Sequence, residues 1–572
     1  MRGEVLLLAL VGLPLAVAVA VAVPRTRAGG LVLAPWAALP ALGLAVVVGP
    51  APHLEGVVPW LLVGVRLGMD ETAWPFLLFT SLLWLAAGVY ASGYLAPDAR
   101  RHRFLFFFLA AMAGNLGLLA ARDAVGFYAF YALMSFATYG LVVHPGGLEA
   151  ERAARVYMVL AIFSEVLVLS GVLAATALAG GEYGLEALAA ALVRAPEGPL
   201  VLGLLLAGFG VKVGVLLLHV WLPLAHSLAP TPASAVLSGA MIKAGLLGWM
   251  RVLPPGEVAL PEPAEVLVGL GLAATFYGVG VGLTQRRPKA VLAYSSVSQM
   301  GFLTVGVGLV LRGGPEAELA RVSLPLYALH HGLVKGALFL GVGVAQAAGG
   351  RWRRWVAAGL GVLALSLGGA PLTSGALAKA ALKGAAGEAL SLGLSLAAVG
   401  TTLVMARFLL LLLTETPHPG SGGVRLWGPW SGLLVLSFGV AWWLAPGAVV
   451  RKALSWSGAW AGLWPVLLGV LGAWGAWAVG RRTGARLPEI PTGDVGVLAV
   501  RVTQRLRGEL AAQWAASARP GPSPLAEAWR TLCWRLAVLE PSPVERRATG
   551  WRSLEWAFLL LVGLVLGLLG AR

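Results

Sequence analysis

Runs of apolar residues long enough to cross a lipid bilayer recur along the whole sequence, and they leave few folds open. A membrane-spanning helix needs about 20 consecutive, mostly apolar residues. Sixteen stretches meet that requirement, beginning near residues 4, 30, 73, 102, 123, 154, 198, 232, 264, 289, 322, 354, 390, 426, 459 and 553. Their ends are placed within about three residues. The fold class is therefore an all-α polytopic membrane protein. Composition agrees: 58% of the 572 residues are hydrophobic and 12% charged, with a mean hydropathy of +0.83, which excludes a soluble globular chain. The net charge of +16 is scattered through loops rather than gathered in one tract, so it reads as membrane topology and not as a nucleic-acid surface. The lone Cys533 excludes an intrachain disulfide and a Cys-ligated cluster. The first apolar run lacks a clear cleavage site and reads as a retained helix rather than a signal peptide.

Loop charges test the count. Loops after odd-numbered spans hold Arg25 and Arg27, Arg100 to Arg103, Arg152 and Arg155, Arg286 to Lys289, Arg351 to Arg354, and Arg481 to Arg486. Loops after even-numbered spans are richer in acids: Glu55, Asp70, Glu71, Glu182, Glu186, Glu257, Glu262, Glu316 and Glu318. The positive-inside rule places the odd loops in the cytoplasm and both termini on the outer side. Residues 481–552 are polar by comparison. Val497 to Ala516 and Leu525 to Leu539 show helix-like apolar spacing around a "PGPSP" break, as expected of an amphipathic, surface-lying linker on the cytoplasmic side. It leads to a last span within residues 553–572.

Charge at bilayer depth costs a few kcal/mol for a central lysine on insertion scales, and it is retained where it faces a cavity, a partner or a proton path. Lys212 and His219 lie seven residues apart in span seven, and so on nearly the same helix face. Lys243 lies in span eight, His331 and Lys335 in span eleven, Lys379 in span twelve with Lys383 just after it, Glu165 in span six and Arg407 in span thirteen. Lys383 and Arg407 are close enough to span ends to snorkel to the interface, and Glu165 could serve as one half of a packing ion pair. Two of these runs carry helix breakers: Pro223 follows Lys212 and His219, and Gly368, Gly369, Pro371 and Gly375 precede Lys379. Backbone groups freed by such residues are tolerated where protein or water lines the site. The two interrupted runs are spans seven and twelve, and an offset of five inverts the topology. This predicts two inverted five-helix repeats with broken helices, residues 101–255 and 256–415, after N-terminal helices in 1–100 and before two more spans in 416–480.

Four stretches then occur in order: "VKVGVLLLHVWLPLAHSLAPTPASAVLSGAMIKAG" (Val211 to Gly245), "PKAVLAYSSVSQMGF" (Pro288 to Phe302), "HGLVKGALFL" (His331 to Leu340) and "GGAPLTSGALAK" (Gly368 to Lys379). With "GVRLGMDETAWPFLLFTSLLWLAAGVYASGYL" ahead of them, they resemble the antiporter-like proton-translocating membrane subunits. That family includes subunits of respiratory complex I (NADH–quinone oxidoreductase), Mrp-type sodium/proton antiporters and membrane-bound hydrogenases. The resemblance covers at least residues 60–415. It implies that Lys212 is the broken-helix lysine of a first half-channel, Lys335 the central lysine and Lys379 the broken-helix lysine of the second half. Lys243 matches a span-eight lysine of the hydrogenase-type members. The linker and last span look like a shortened lateral helix. One departure stands out: Tyr131 and Ala132 occupy the place of a Trp-Glu pair whose glutamate partners the first lysine. Glu165 is a candidate substitute.

The expected function is movement of protons, or exchange of Na+ for H+, along a row of buried groups. These are Glu165, Lys212, Lys243, Lys335 and Lys379, with His219 and His331 as relays and Lys383, Arg407 and Asp123 as further candidates. The sequence shows no phosphate loop, haem ligand pair or metal site, so no cofactor is expected. Energy would come from a redox module among partner membrane subunits or from an ion gradient, making the chain a translocase subunit. The alternative is a non-pumping membrane partner of another complex, such as one for inorganic carbon uptake. The expected location is a bacterial or archaeal cytoplasmic membrane.

Overall fold

The computed structural model describes residues 2–50, 54–62, 64–253, 258–417, 423–484 and 487–494. The two amphipathic stretches of the linker, Val497 to Ala516 and Leu525 to Leu539, and the last expected span in 553–572 lie outside the described residues.

The first part comprises α1 (Arg2–Ala22), then α2 (Arg27–Leu33) and α3 (Leu39–Val48) joined by a 3-10 turn, and a hairpin of β1 (Leu54–Val58) and β2 (Val65–Met69). The hairpin loop closes through Leu61 N to Val58 O (3.1 Å) and Gly64 N to Leu61 O (3.0 Å). There follow α4 (Ala73–Tyr94), α5 (Arg101–Ala120), α6 (Ala124–Val143), α7 (Gly147–Leu178) and the short α8 (Leu185–Arg194). Next come α9 (Gly198–Val213), α10 (Trp221–Leu228), α11 (Thr231–Val236) and α12 (Ile242–Val252), the last two linked by a π-helical turn over Leu237–Met241. The remaining helices are α13 (Pro261–Thr284), α14 (Pro288–Arg312), α15 (Pro315–Ala347), α16 (Gly350–Gly368), α17 (Ser374–Gly384), α18 (Glu388–Thr414), α19 (Gly423–Leu444), α20 (Gly447–Leu454) and α21 (Trp456–Thr483). Three long helices, α13, α14 and α15, begin on proline, which lacks only an amide that the first turn would leave unpaired.

Thirteen of the described helical stretches are long and apolar enough to cross a membrane. Two further crossings are discontinuous, α9 with α10 and α16 with α17. Together they account for the first fifteen expected spans. Two helices differ from expectation at their starts: α7 and α15 begin seven residues early, at Gly147 and Pro315. Glu149, Glu151 and Arg152, and Glu316, Glu318 and Arg321, sit in those extra turns and hide them from a search for apolar runs. At 32 and 33 residues, each helix is about 50 Å long, which exceeds the roughly 30 Å hydrocarbon layer.

The first helix break differs from the reading based on proline, while the second falls at Gly369, one of the breakers named from the sequence. In the first, α9 ends at Val213 and is capped by Gly214 in the left-handed region (φ +78°), with Leu217 also left-handed (φ +78°). Pro223 then falls in the first turn of α10, where it does no harm. In the second, α16 is capped by left-handed Gly369 (φ +94°), and Leu372 follows at φ +64°. Both breaks therefore place a left-handed glycine three residues before a left-handed leucine.

Loop charges sort onto two faces, as the span count requires. Arg122 and Arg251 converge on Asp70 from the ends of α5 and α12, and Arg122 also holds Glu186 (2.6 Å) and lies 3.8 Å from Glu55. Arg312 holds Glu265 at 2.8 Å. All of these lie in or beside even-numbered loops. Asp98 pairs with His144 (2.8 Å), Arg287 with Glu149 (3.3 Å) and Arg286 with Glu489 (2.8 Å), and all lie in or beside odd-numbered ones. No described ion pair mixes the two sets.

The interior is densest around α14 and α15, whose middles are buried all round. They are not uniformly apolar: Tyr294, Ser295, Ser296, Ser298, Gln299, Tyr327, His330, His331 and Lys335 are all buried there.

A candidate ion path through buried amines and imidazoles

The first discontinuous helix carries Lys212 in the last turn of α9, 4% exposed. Its Nζ donates to Tyr157 Oη (3.3 Å) and lies 5.3 Å from the centre of the Tyr131 ring and 5.5 Å from that of Tyr157. An ammonium over tyrosine faces is attracted by the ring quadrupole. Tyr131 thus contacts the lysine that a neighbouring glutamate would otherwise pair with. It also bonds Ser164 (2.9 Å), whose Oγ donates to Gly208 O (2.7 Å). Glu165 follows Ser164 and is buried, within reach of the Ser135 hydroxyl. Lys212 is the cation whose field it feels, yet the two form no ion pair within 4.0 Å.

The structure separates Lys212 from His219. The chain leaves the helix at Gly214, so a seven-residue spacing no longer puts the two on one face. His219 sits in the break itself, fully buried, with Nε2 on Asp494 Oδ2 (3.1 Å) and its ring against Tyr277 (5.2 Å between centres).

A second group lies where α10, α12, α14 and α15 meet. Lys243 Nζ donates to Ser238 O (2.5 Å), a carbonyl of the π-helical turn. Lys335 donates to Leu292 O (2.6 Å) and to the Ser295 hydroxyl of α14. His331 is buried with both ring nitrogens unpartnered, and the charges around it are Lys243, Lys335, His330 and His226. His226 is likewise buried with both nitrogens unpartnered and stacks on Phe339 at 4.9 Å. Its neighbours in charge are Lys335, Lys289 and Lys243.

A third group surrounds the second break. Lys379 Nζ donates to Leu367 O (2.9 Å) and Gly368 O (2.8 Å). It thereby caps the C-terminal carbonyls of α16, where the helix dipole favours a cation. It also lies 5.2 Å from the centre of the Phe302 ring. His330 Nδ1 bonds Ser374 Oγ (2.8 Å) in the first turn of α17, and its Nε2 is unpartnered. Lys379 and Lys243 are both within its electrostatic reach, so His330 lies between the second and third groups.

The remaining sequence candidates sit at the edges. Lys383, in the last turn of α17, adds its charge to that felt by Lys379. Arg407 donates to Gln285 O (3.2 Å) at the end of α13. Asp123 caps α6: Oδ1 accepts from Gly126 N (2.7 Å) and Oδ2 from Arg66 N (2.6 Å). Backbone amides thus occupy both of its oxygens. His226, His330 and Asp494 were not singled out from the sequence. His226 lies past Pro223, where the membrane run looked finished; His330 was shadowed by His331; Asp494 lies in what reads as a surface linker. Among the described residues, no group of three or more His, Cys, Asp or Glu is placed to hold a metal ion. The arrangement can receive, hold and pass on protons.

Residues 121–405 match the model of the NADH:quinone oxidoreductase/Mrp antiporter transmembrane family. The chain is similar to NAD(P)H-quinone oxidoreductase chain 4 2 of Thermosynechococcus vestitus, 32% identical over 299 residues, which is 50% of this chain and 53% of the relative. It is also similar to NADH-quinone oxidoreductase subunit N of Desulforudis audaxviator, 33% identical over 288 residues, 49% of this chain and 56% of the relative. The chain spans about half the length of the curated relatives it matches. Among solved structures, the Mrp complex from Dietzia sp. DQ12-45-1b shares the fold, with a TM-score of 0.73 and 21% identity over 95% of this chain and 64% of that one.

Proposed function

Since residues 121–405 belong to the NADH:quinone oxidoreductase/Mrp antiporter membrane family, we propose that this protein is a proton-conducting membrane subunit of a larger complex. The observation that carries the reading is the central group: Lys243, His331, His226 and Lys335, buried together with four imidazole nitrogens that find no hydrogen-bond partner among the described residues. Unpartnered polar atoms at this depth cost free energy, and a water-linked proton path is the use that offsets it. The path runs from Glu165 and Lys212 through Lys243, His331, His226 and Lys335 to His330 and Lys379. Lys383 and Arg407 lie at its margins, and Asp123 serves as a helix cap.

The two breaks support the inverted-repeat reading of residues 101–255 and 256–415, because each repeats the same pair of left-handed residues at the same spacing. In this reading the odd loops face the cytoplasm of a bacterial or archaeal cell, and other membrane subunits supply the driving reaction. Na+ exchanged for H+ is the form the activity takes if the energy source is an ion gradient. The geometry of Lys212, on tyrosines rather than on a carboxylate, favours one second reading: a first half that does not conduct, within a non-pumping membrane partner.

Lys335→Ala in the assembled complex separates the two. Proton flux into inverted membrane vesicles, followed with an acridine dye, should fall at least tenfold while the complex still assembles. Unaltered flux would refute a central relay.

A further inference from the structure

Downstream of α21, residues 487–494 form an irregular strap pinned beside the first break. Gln285 holds it twice, donating from Nε2 to Ile490 O (2.9 Å) and accepting from Thr492 Oγ1 (3.0 Å), and Arg286 pairs with Glu489 (2.8 Å). Gly493 (φ +88°) and Asp494 (φ +28°) then turn the chain inward, with Gly493 N on Tyr294 Oη (3.2 Å). As a result a carboxyl group from a loop is delivered to the interior: Asp494 is 1% exposed. Its Oδ2 accepts from Tyr294 Oη (2.9 Å) and meets His219 Nε2 (3.1 Å), and Tyr277 also bonds it. A left-handed aspartate beside a left-handed glycine, aimed at a helix break, is the kind of backbone outlier that accompanies functional sites.

We propose that Asp494 and His219 form a further proton-carrying pair, through which the strap connects the first break to the path; this rests on the proton-path reading above. The imidazole is suited to transfer from one side to the other. Nε2 is on the carboxyl group, and Nδ1 is buried and unpartnered on the far side of the ring. A proton taken up on Nδ1 is matched by transfer of the Nε2 proton to Asp494 Oδ2. The carboxylate becomes a neutral acid, and the ring becomes its other tautomer. Loss of the carboxyl proton and a flip of the ring restore the start. Tyr294 connects this pair to the central group through α14, because Leu292 and Ser295, which hold Lys335, flank it in sequence. A structural strap would need no ionisable end: an amide would accept the same tyrosine bond without the desolvation cost of burying a charge.

The test compares Asp494→Asn, Asp494→Glu, His219→Gln and the Asn/Gln double variant, as full-length protein in the native complex, by dye-monitored proton flux in inverted vesicles. Asp494→Asn should lower flux at least tenfold at normal assembly, and Asp494→Glu should stay within threefold of wild type. The double variant should be no worse than the poorer single, as befits two residues acting as one unit. Flux within twofold of wild type in Asp494→Asn, or equal losses in Asn and Glu variants, overturns the pair. Where Asp494→Asn fails to accumulate, His219→Gln decides by the same thresholds. Lys335→Ala keeps the two claims distinct. If it abolishes flux while Asp494→Asn does not, only the pair falls; if it too leaves flux intact, the path reading falls.

Discussion

His144 and Asp98 illustrate how residue type alone understates environment. Both sit outside the spans, at the ends of α6 and α4, and bond at 2.8 Å. Burial drives the His144 imidazole below its usual range, and the Asp98 carboxylate only partly restores it. Burial pushes the Asp98 carboxyl up, but the Arg100 amide and His144 outweigh it and hold it below its usual value. Both groups are thus harder to protonate in the folded state than in the unfolded chain. The unfolded state takes up more protons as pH falls, so the contribution of both is complete above about pH 6.5, the unfolded histidine value, and is lost on acidification. The histidine step comes first, and the aspartate step follows below about pH 4. Thermal unfolding of the detergent-solubilised protein should show a lower midpoint at pH 5 than at pH 7. His144→Asn should flatten that difference, and an unchanged difference would dismiss this assignment. At the same scale, the lysines were legible because a charge inside an apolar run is conspicuous. His226, His330 and Asp494 were not, because a histidine past a proline and an aspartate in a polar loop look ordinary until the fold buries them.

At the level of elements, the apolar runs located fifteen crossings, and the glycines before Lys379 marked the second break, whereas proline drew attention away from what breaks the first. The helices end at Gly214 and Gly369, two residues after Lys212 and ten before Lys379. The breaks share a cost: Leu217 and Leu372 are left-handed although neither is glycine, and such a residue stores about 1 kcal/mol or somewhat more. Nothing in sequence spacing marks these leucines, since a left-handed leucine is set by the packing around it. Both are also exposed, at 67% and 70%, so their side chains contribute little packing within this chain. Leu217→Gly and Leu372→Gly should each be neutral or raise stability by about 1 kcal/mol, because glycine adopts this backbone without a Cβ clash, partly offset by its greater freedom when unfolded. Differential scanning fluorimetry in detergent measures it. A loss of 2 kcal/mol or more in both would mean that the leucine side chains, not the backbone turn, hold the breaks in place.

Across the whole molecule, the charges of the loops carry the topology, and their partners in space carry it independently. Arg122, Arg251, Asp70, Glu55 and Glu186 come from four separate loops or helix ends, yet they form one network. This is possible only if those helices end on the same side. A missed or invented span between residues 55 and 251 would have put some of these groups on opposite faces, about 30 Å of hydrocarbon apart. The opposite face is tied by Asp98 with His144, Arg287 with Glu149 and Arg286 with Glu489, which reach from the end of α4 to the strap beyond α21. The structure therefore establishes two faces, and the proposal that the basic odd loops face the cytoplasm adds an orientation to test. Single cysteines test both steps once Cys533 is replaced by serine. In intact cells, a membrane-impermeant maleimide should label Glu186→Cys and Glu265→Cys, which are exposed on the even face. It should reach Glu149→Cys and Glu489→Cys, exposed on the odd face, only after permeabilisation. Labelling that splits either pair would break the two-face topology. Labelling of the odd pair alone would keep that topology and invert its orientation, placing the strap that bears Asp494 on the outer side of the membrane.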